Sequence, residues 1–224
     1  MADLTSLRID HAASILRRSG ARGVDSYELK LKNNYRNSNQ VVNHLSEARV
    51  ALMFIDNGAR VTMRDSPDLM IEWRGETFYA EVKHFRRKEQ DEIDEEAMRN
   101  ASGVLVGPLG LTEKLEDRKP YEQISDVARR KKGQYIDGAI NILVIDSASE
   151  SLDLMAKSGA NEYSEEIRKA PHDTQLQRLH GIMIINIGGT VGGAPSNVDF
   201  GITQPGFRTM SFELARALES IRVG

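Results

Sequence analysis

Apolar residues recur at intervals of three and four from Val41 to Asn57, where Val41, Leu45, Ala48, Leu52 and Ile55 share one side. That period predicts an amphipathic helix, and Gly58 supplies its C-terminal stop. Residues 1–23 carry a similar stripe of Leu7, Ala12, Ile15 and Leu16. Arg17 and Arg18 suit the end of that helix, and Gly20 or Gly23 closes it. Between these two helices, the stretch from Tyr27 to Asn39 begins with strand-like alternation and runs into an Asn-rich turn.

Period two takes over next. Val61–Met63 reads as a short strand, Arg64 to Pro67 as a turn, and Asp68–Trp73 as a second strand. Arg74, Gly75 and Glu76 then form a tight turn into Thr77–Lys83, so the two longer strands predict a β-hairpin. Residues 84–119 lose any period. They hold a charged stretch from Arg86 to Arg99, in which Arg87 could pair with Asp91 and Lys88 with Glu92 on a helix. Pro120 suits the first turn of a helix reaching about Lys132 or Tyr135. Asn141–Asp146 and Gly181–Ile187 are continuous apolar runs, the mark of strands buried on both faces. Helical material is expected at Leu152–Ala156 and Glu162–Lys169, a Gly-rich loop at Gly188–Pro195, and a closing helix from Ser211 to Arg222 with Phe212, Ala215, Leu218 and Ile221 inside.

These elements predict one α/β domain over residues 1–224. Its length is ample for a true core, since a chain of this size buries roughly 70% of its unfolded surface. Cysteine is absent, which excludes disulfide frameworks, thiolate nucleophiles and cysteine-based zinc sites. Neither an apolar signal core nor a run of 18 apolar residues is present, so a cytoplasmic protein with no membrane partner is expected. A net charge of -3 argues against binding nucleic acid by bulk electrostatics, though not against a local basic surface.

The hairpin carries the candidate chemistry. In its second strand Phe78, Ala80 and Val82 fall on one face and Tyr79, Glu81 and Lys83 on the other. Asp68 follows Pro67, which marks a strand start or edge. Two carboxylates converging there would repel unless a cation or proton lay between them. Hard oxygen ligands suit Mg²⁺ or Mn²⁺. Taken alone, Glu81 and Lys83 could equally form a solvated ion pair worth under about 1 kcal/mol.

Pro67-Asp68 followed by Glu81-Val82-Lys83 resembles the active-site signature of the PD-(D/E)XK nucleases, the restriction-endonuclease-like superfamily. Glu47 on the preceding helix and Gln123 on the helix after the hairpin agree with the same pattern. The resemblance covers about residues 41–147. It implies a central mixed β-sheet flanked by helices in the order α-β-β-β-α-β, with an N-terminal helical extension at 1–40 and a C-terminal α/β extension at 148–224. It further implies a Mg²⁺- or Mn²⁺-dependent endonuclease hydrolysing phosphodiester bonds in DNA, of restriction, repair or anti-phage type. Asp68, Glu81 and the Val82 backbone carbonyl would hold the metal, and Glu47 would complete a second position or bind through water. Lys83 would orient the attacking water, and Gln123 would position Lys83 or a phosphate. The gap at 84–119 is longer than in compact members of the superfamily. A catalytically silent nucleic-acid-binding or scaffold protein on the same fold is the alternative.

Arg129, Arg130, Lys131 and Lys132 could neutralise DNA phosphates beside such a site, or could simply answer the helix dipole. Arg86 and Arg87, just past the hairpin, have the same two readings. The flanking segments could add specificity or contacts to a second copy of the chain. His44 lies one helical turn before Glu47 and could approach the site or sit on the helix surface. His172 and His180 lack the spacing of a zinc motif, and Gly188–Gly193 lacks the Gly-Lys-Ser/Thr ending of a phosphate loop.

Overall fold

The computed structural model describes residues 4–85, 119–147, 155–186 and 197–222. Three helices come first: α1 (Leu4–Arg18), α2 (Val24–Asn33) and α3 (Ser38–Asp56). Strands β1 (Arg60–Met63), β2 (Leu69–Trp73) and β3 (Glu76–Phe85) follow, then α4 (Pro120–Arg130) and β4 (Ile140–Ser147). The chain continues through α5 (Ala156–Lys169), β5 (Gly181–Asn186), β6 (Asn197–Ile202), the one-turn α6 (Gly206–Thr209) and α7 (Phe212–Glu219). The strands form one mixed sheet in the order β1-β2-β3-β4-β5-β6. β3, β4 and β5 run parallel, and the pairs β1/β2, β2/β3 and β5/β6 are antiparallel.

Helices cover both faces of the sheet. On one side Leu16, Leu31 and Phe54 from α1, α2 and α3, with Leu218 from α7, pack on Phe78, Ala80, Ile142 and Val144. On the other, Ile124 of α4 and Tyr163 of α5 pack on Leu143, Ile145, Ile182 and Ile184. β4 is buried along its whole length because its alternate residues feed both layers. That is why its sequence reads as an unbroken apolar run. The hairpin turn has both Arg74 (φ 53°) and Gly75 (φ 82°) in the left-handed region, the backbone of a two-residue turn that matches strand twist.

Two expectations fail. The stretch from Tyr27 is helical, not extended, and belongs to α2. Its buried residues are Val24, Tyr27 and Leu31, spaced three and four, whereas Leu29, which the alternating reading groups with Tyr27 and Leu31, is 60% exposed. The closing helix is shorter than expected, and Phe212 points to solvent at 78% exposure while Leu214, Leu218 and Ile221 are buried. Strand β6 was not anticipated. It completes the sheet beside β5, and its Asp199 Oδ2 accepts the Ala156 N–H at 2.7 Å, capping the start of α5. Gly201 is required there, since a Cβ would lie 2.4 Å from the Ala156 carbonyl oxygen. The single helix α5 takes in Glu162–Lys169, and 151–154 lie outside the described residues, as do most of 84–119 and the Gly-rich loop.

Candidate active site

The start of β2, the middle of β3 and the inner face of α3 converge. Asp68 lies just before β2, opposite Glu81 if the β2/β3 register is continued by one residue. Its Oδ2 accepts the Val82 N–H at 2.9 Å, which ties the carboxylate across the hairpin. Glu47 approaches from α3. Asp68, Glu81 and Glu47 are all buried, at 6%, 3% and 4% exposure. Carboxylates are almost never this buried without partners.

The partners are two lysines from opposite layers. Lys30 of α2 places Nζ 3.3 Å from Glu47 Oε2 and 3.5 Å from Asp68 Oδ1. Lys131, just past α4, places Nζ 2.7 Å from Glu81 Oε1. His44 Nδ1 lies 2.7 Å from Glu47 Oε1, one helical turn away, so the histidine approaches the site and is itself buried. Below it, the Tyr27 hydroxyl donates to the His44 carbonyl at 2.6 Å, fixing α2 against α3.

Two ammonium groups face three carboxylates. Burial, then the neighbouring Glu47 and Glu81 carboxylates, push the Asp68 pKa from 3.8 up to about 8, against the opposing Val82 N–H and Lys30. Burial also raises Glu81, although Lys131 pulls it back. Lys30 is held above its usual range because Glu47 and Asp68 together outweigh its desolvation. Near neutral pH Asp68 is therefore mostly protonated, which relieves the excess of carboxylates over ammonium groups.

Carboxylate oxygens and a backbone carbonyl such as that of Val82 are donors of the kind a hard divalent cation takes. Among the described residues, no three His, Asp or Glu side chains are drawn together as a ligand set. The carboxylates are instead each engaged by an ammonium group, as groups that repel one another must be.

No family model, curated protein or solved structure matches the chain.

Of the residues singled out from the sequence, Asp68 accepts the Val82 N–H and shares Lys30 with Glu47, and Glu81 lies within electrostatic reach of Asp68. Lys83 follows on the same face of β3 as Glu81, half-buried, and Gln123 is half-buried in the first turn of α4. Of the basic run, Lys131 turns inward to Glu81. Arg129 pairs with Asp126 at 2.8 Å, Arg130 Nε donates to the Asp126 carbonyl at 3.3 Å, and Lys132 pairs with Asp173. Arg86 and Arg87 lie outside the described residues.

Sequence reasoning missed Lys30 because it placed that segment on a strand. The spacing of Val24, Tyr27 and Leu31 was the signal that would have found it. A second buried charge cluster was also missed. Asp146, 2% exposed near the end of β4, pairs with Arg49 of α3 and lies 3.5 Å from His84 Nδ1 at the end of β3. Asp146 is read from the sequence as the last residue of the buried strand, and nothing in the periodicity marks its carboxylate as paired.

Proposed function

We propose that the chain is a Mg²⁺- or Mn²⁺-dependent phosphodiesterase acting on DNA, an endonuclease of the PD-(D/E)XK kind. The observation that carries this reading is the convergence of buried Glu47, Asp68 and Glu81 on two lysines, around a carboxylate whose pKa is pushed up to about 8. Perturbed carboxylates clustered in this way are a recurrent mark of functional sites. The order α3-β1-β2-β3-α4-β4, with β3 parallel to β4, also agrees with the core that the signature implies.

In this reading Asp68, Glu81 and the Val82 carbonyl hold the divalent ion, with Glu47 beside them. When bound, such an ion acidifies water and offsets the charge that builds on a scissile phosphate. The chain's own residues do the rest. The Val82 N–H fixes Asp68 in place, and His44 fixes Glu47. Lys83 offers a compact charge with movable donors, suited to a water or one phosphate oxygen. Lys30 and Lys131 offset the carboxylates before substrate arrives.

One observation favours a second reading. Glu47, Asp68 and Glu81 each already face a lysine, the arrangement expected of a structural ion-pair cluster in a catalytically silent nucleic-acid-binding or scaffold protein. Incubation of supercoiled plasmid with Mg²⁺, Mn²⁺ or EDTA separates the two. The nuclease reading expects metal-dependent nicking that Glu81→Ala and Lys83→Ala abolish. Cutting that survives both substitutions, or plasmid left intact in both metals, overturns it.

A further inference from the structure

Away from the carboxylates, a cleft of about 470 Å³ opens between the end of α5 and the segment that joins β6 to α6. It lies beside the N-terminal end of β5. Its volume is in the range of small-molecule sites.

The wall of the cleft is rigidly built. Thr203, fully buried, donates its hydroxyl to the Leu179 carbonyl, and its N–H donates to the His180 carbonyl at 3.2 Å. The Gln204 N–H donates to Ser164 Oγ at 3.0 Å, tying the same segment to α5. Gly206 sits so close to His180 that a Cβ would lie 1.9 Å from its carbonyl oxygen. The backbone of this wall is therefore held by neighbours on both sides.

The lining has a definite chemistry. Arg168 and Arg208 supply two guanidinium groups, and none of the described lining residues is a carboxylate. Arg168 pairs with Glu165 on the exposed side of α5, a contact that rearranges at little cost. Arg208 makes no ion pair among the described residues. His180 adds no charge, because burial lowers its pKa and its Nδ1 accepts the Asn141 N–H at 3.1 Å. Ile167, Pro171 and Pro205 provide apolar surface. Among the described residues Gln204 Oε1 is buried with no hydrogen-bond donor, so a side-chain rotation toward a ligand N–H would satisfy it.

We propose that this cleft binds a nucleoside monophosphate. Arg208 and Arg168 would take the phosphate, for which guanidinium forks are well matched. The proline and isoleucine surfaces would cover the face of the base, and Gln204 would accept a hydrogen bond from its edge. Inorganic phosphate would leave the apolar wall unused, and a nucleoside would leave the arginines unused.

The site is separate from the carboxylate cluster, so its test is run on the full chain in EDTA, where metal-dependent cleavage plays no part. Isothermal titration with AMP, GMP, CMP and UMP is compared with the matching nucleosides and with inorganic phosphate. At least one nucleotide is expected to bind, and to bind at least about tenfold more tightly than its nucleoside or phosphate. Arg208→Ala, at an exposed position that leaves the fold intact, is expected to weaken that nucleotide about tenfold or more. Gln204→Leu is expected to narrow the gap between nucleotide and inorganic phosphate. Absence of heat with every nucleotide, equal affinity for phosphate and nucleotide, or binding unchanged in Arg208→Ala would each overturn the proposal.

Discussion

Lys131 Nζ lies 2.7 Å from Glu81 Oε1, joining the end of helix α4 to the middle of strand β3. The glutamate is 4% exposed at its side chain and the lysine 28%, so the pair is shielded on one side and wet on the other. Lys131→Met should leave a buried carboxylate without its cation. The cost expected is about 1–3 kcal/mol at pH 8, below that of a fully buried pair because Lys131 is partly solvated. Because Glu81 in this variant can take up a proton instead, the cost should shrink as pH falls through its raised pKa. Urea unfolding of wild type and variant at pH 8 and pH 5 measures both effects, and a cost independent of pH would contradict the assignment.

Asp68 makes stability depend on pH in a stated direction. Its folded pKa, about 8, lies above the ordinary 3.8 of an exposed aspartate. The folded state therefore holds a proton that the unfolded state releases, and stability should fall as pH rises from about 4 to about 8, then level off. Asp68→Asn keeps an oxygen to accept the Val82 N–H and removes the titration. It should be more stable than wild type at pH 8, by on the order of a few kcal/mol, and the advantage should vanish near pH 4. Denaturation midpoints across that range decide the matter.

Metal binding should release a proton. At pH 7 a group with a pKa of about 8 is mostly protonated, and a divalent ion needs the carboxylate. Titration of Mn²⁺ in two buffers of different ionisation enthalpy should show close to one proton released per ion at pH 7 and much less at pH 9. Millimolar Mn²⁺ should also raise the Tm of wild type, and Asp68→Asn should lose both responses. Heats that do not vary with the buffer would place any bound ion elsewhere.

The contact of α4 with α5 is set by one small residue. A Cβ on Gly159 would lie 2.4 Å from Ile124 Cγ2, so Gly159→Ala should push the helices apart and cost about 1–3 kcal/mol. Because Lys131 follows α4, the same change should loosen its hold on Glu81. Ile124→Val does not remove Cγ2, but Ile124→Ala does, and combining Ile124→Ala with Gly159→Ala should cost less than the sum of the two single changes. A double-mutant cycle read by thermal melting tests that non-additivity.

Much of this arrangement was legible in the chain. α3, the hairpin with its Arg74-Gly75 turn, the start of α4 at Pro120 and the two buried strands β4 and β5 all follow from period and turn chemistry. Glu47, Asp68 and Glu81 could be grouped in the sequence only through the resemblance of Pro67-Asp68 and Glu81-Val82-Lys83 to a nuclease signature, since spacing alone does not bring a helix residue to a hairpin. What stayed hidden depends on tertiary contact. Tyr27, Leu29 and Leu31 alternate in type, yet the helix is decided by packing of Val24, Tyr27 and Leu31 against the sheet, and Leu29 is left in solvent. Lys30 and Lys131 look like ordinary surface cations until the fold brings them beside carboxylates 17 and 50 residues away. Phe212 shows the reverse, since an apolar residue with helical spacing can still lie past the edge of the layer it was expected to fill.

The sheet separates two hydrophobic layers that share no helix, yet the carboxylates draw one ammonium group from each: Lys30 from the α2 side and Lys131 from the α4 side. Anything that changes the charge held there alters the electrostatic grip on both layers at once. Helices on opposite sides of the molecule thereby acquire a shared balance of forces, and hydrogen exchange in α2 and in α4 should rise and fall together as that charge is varied.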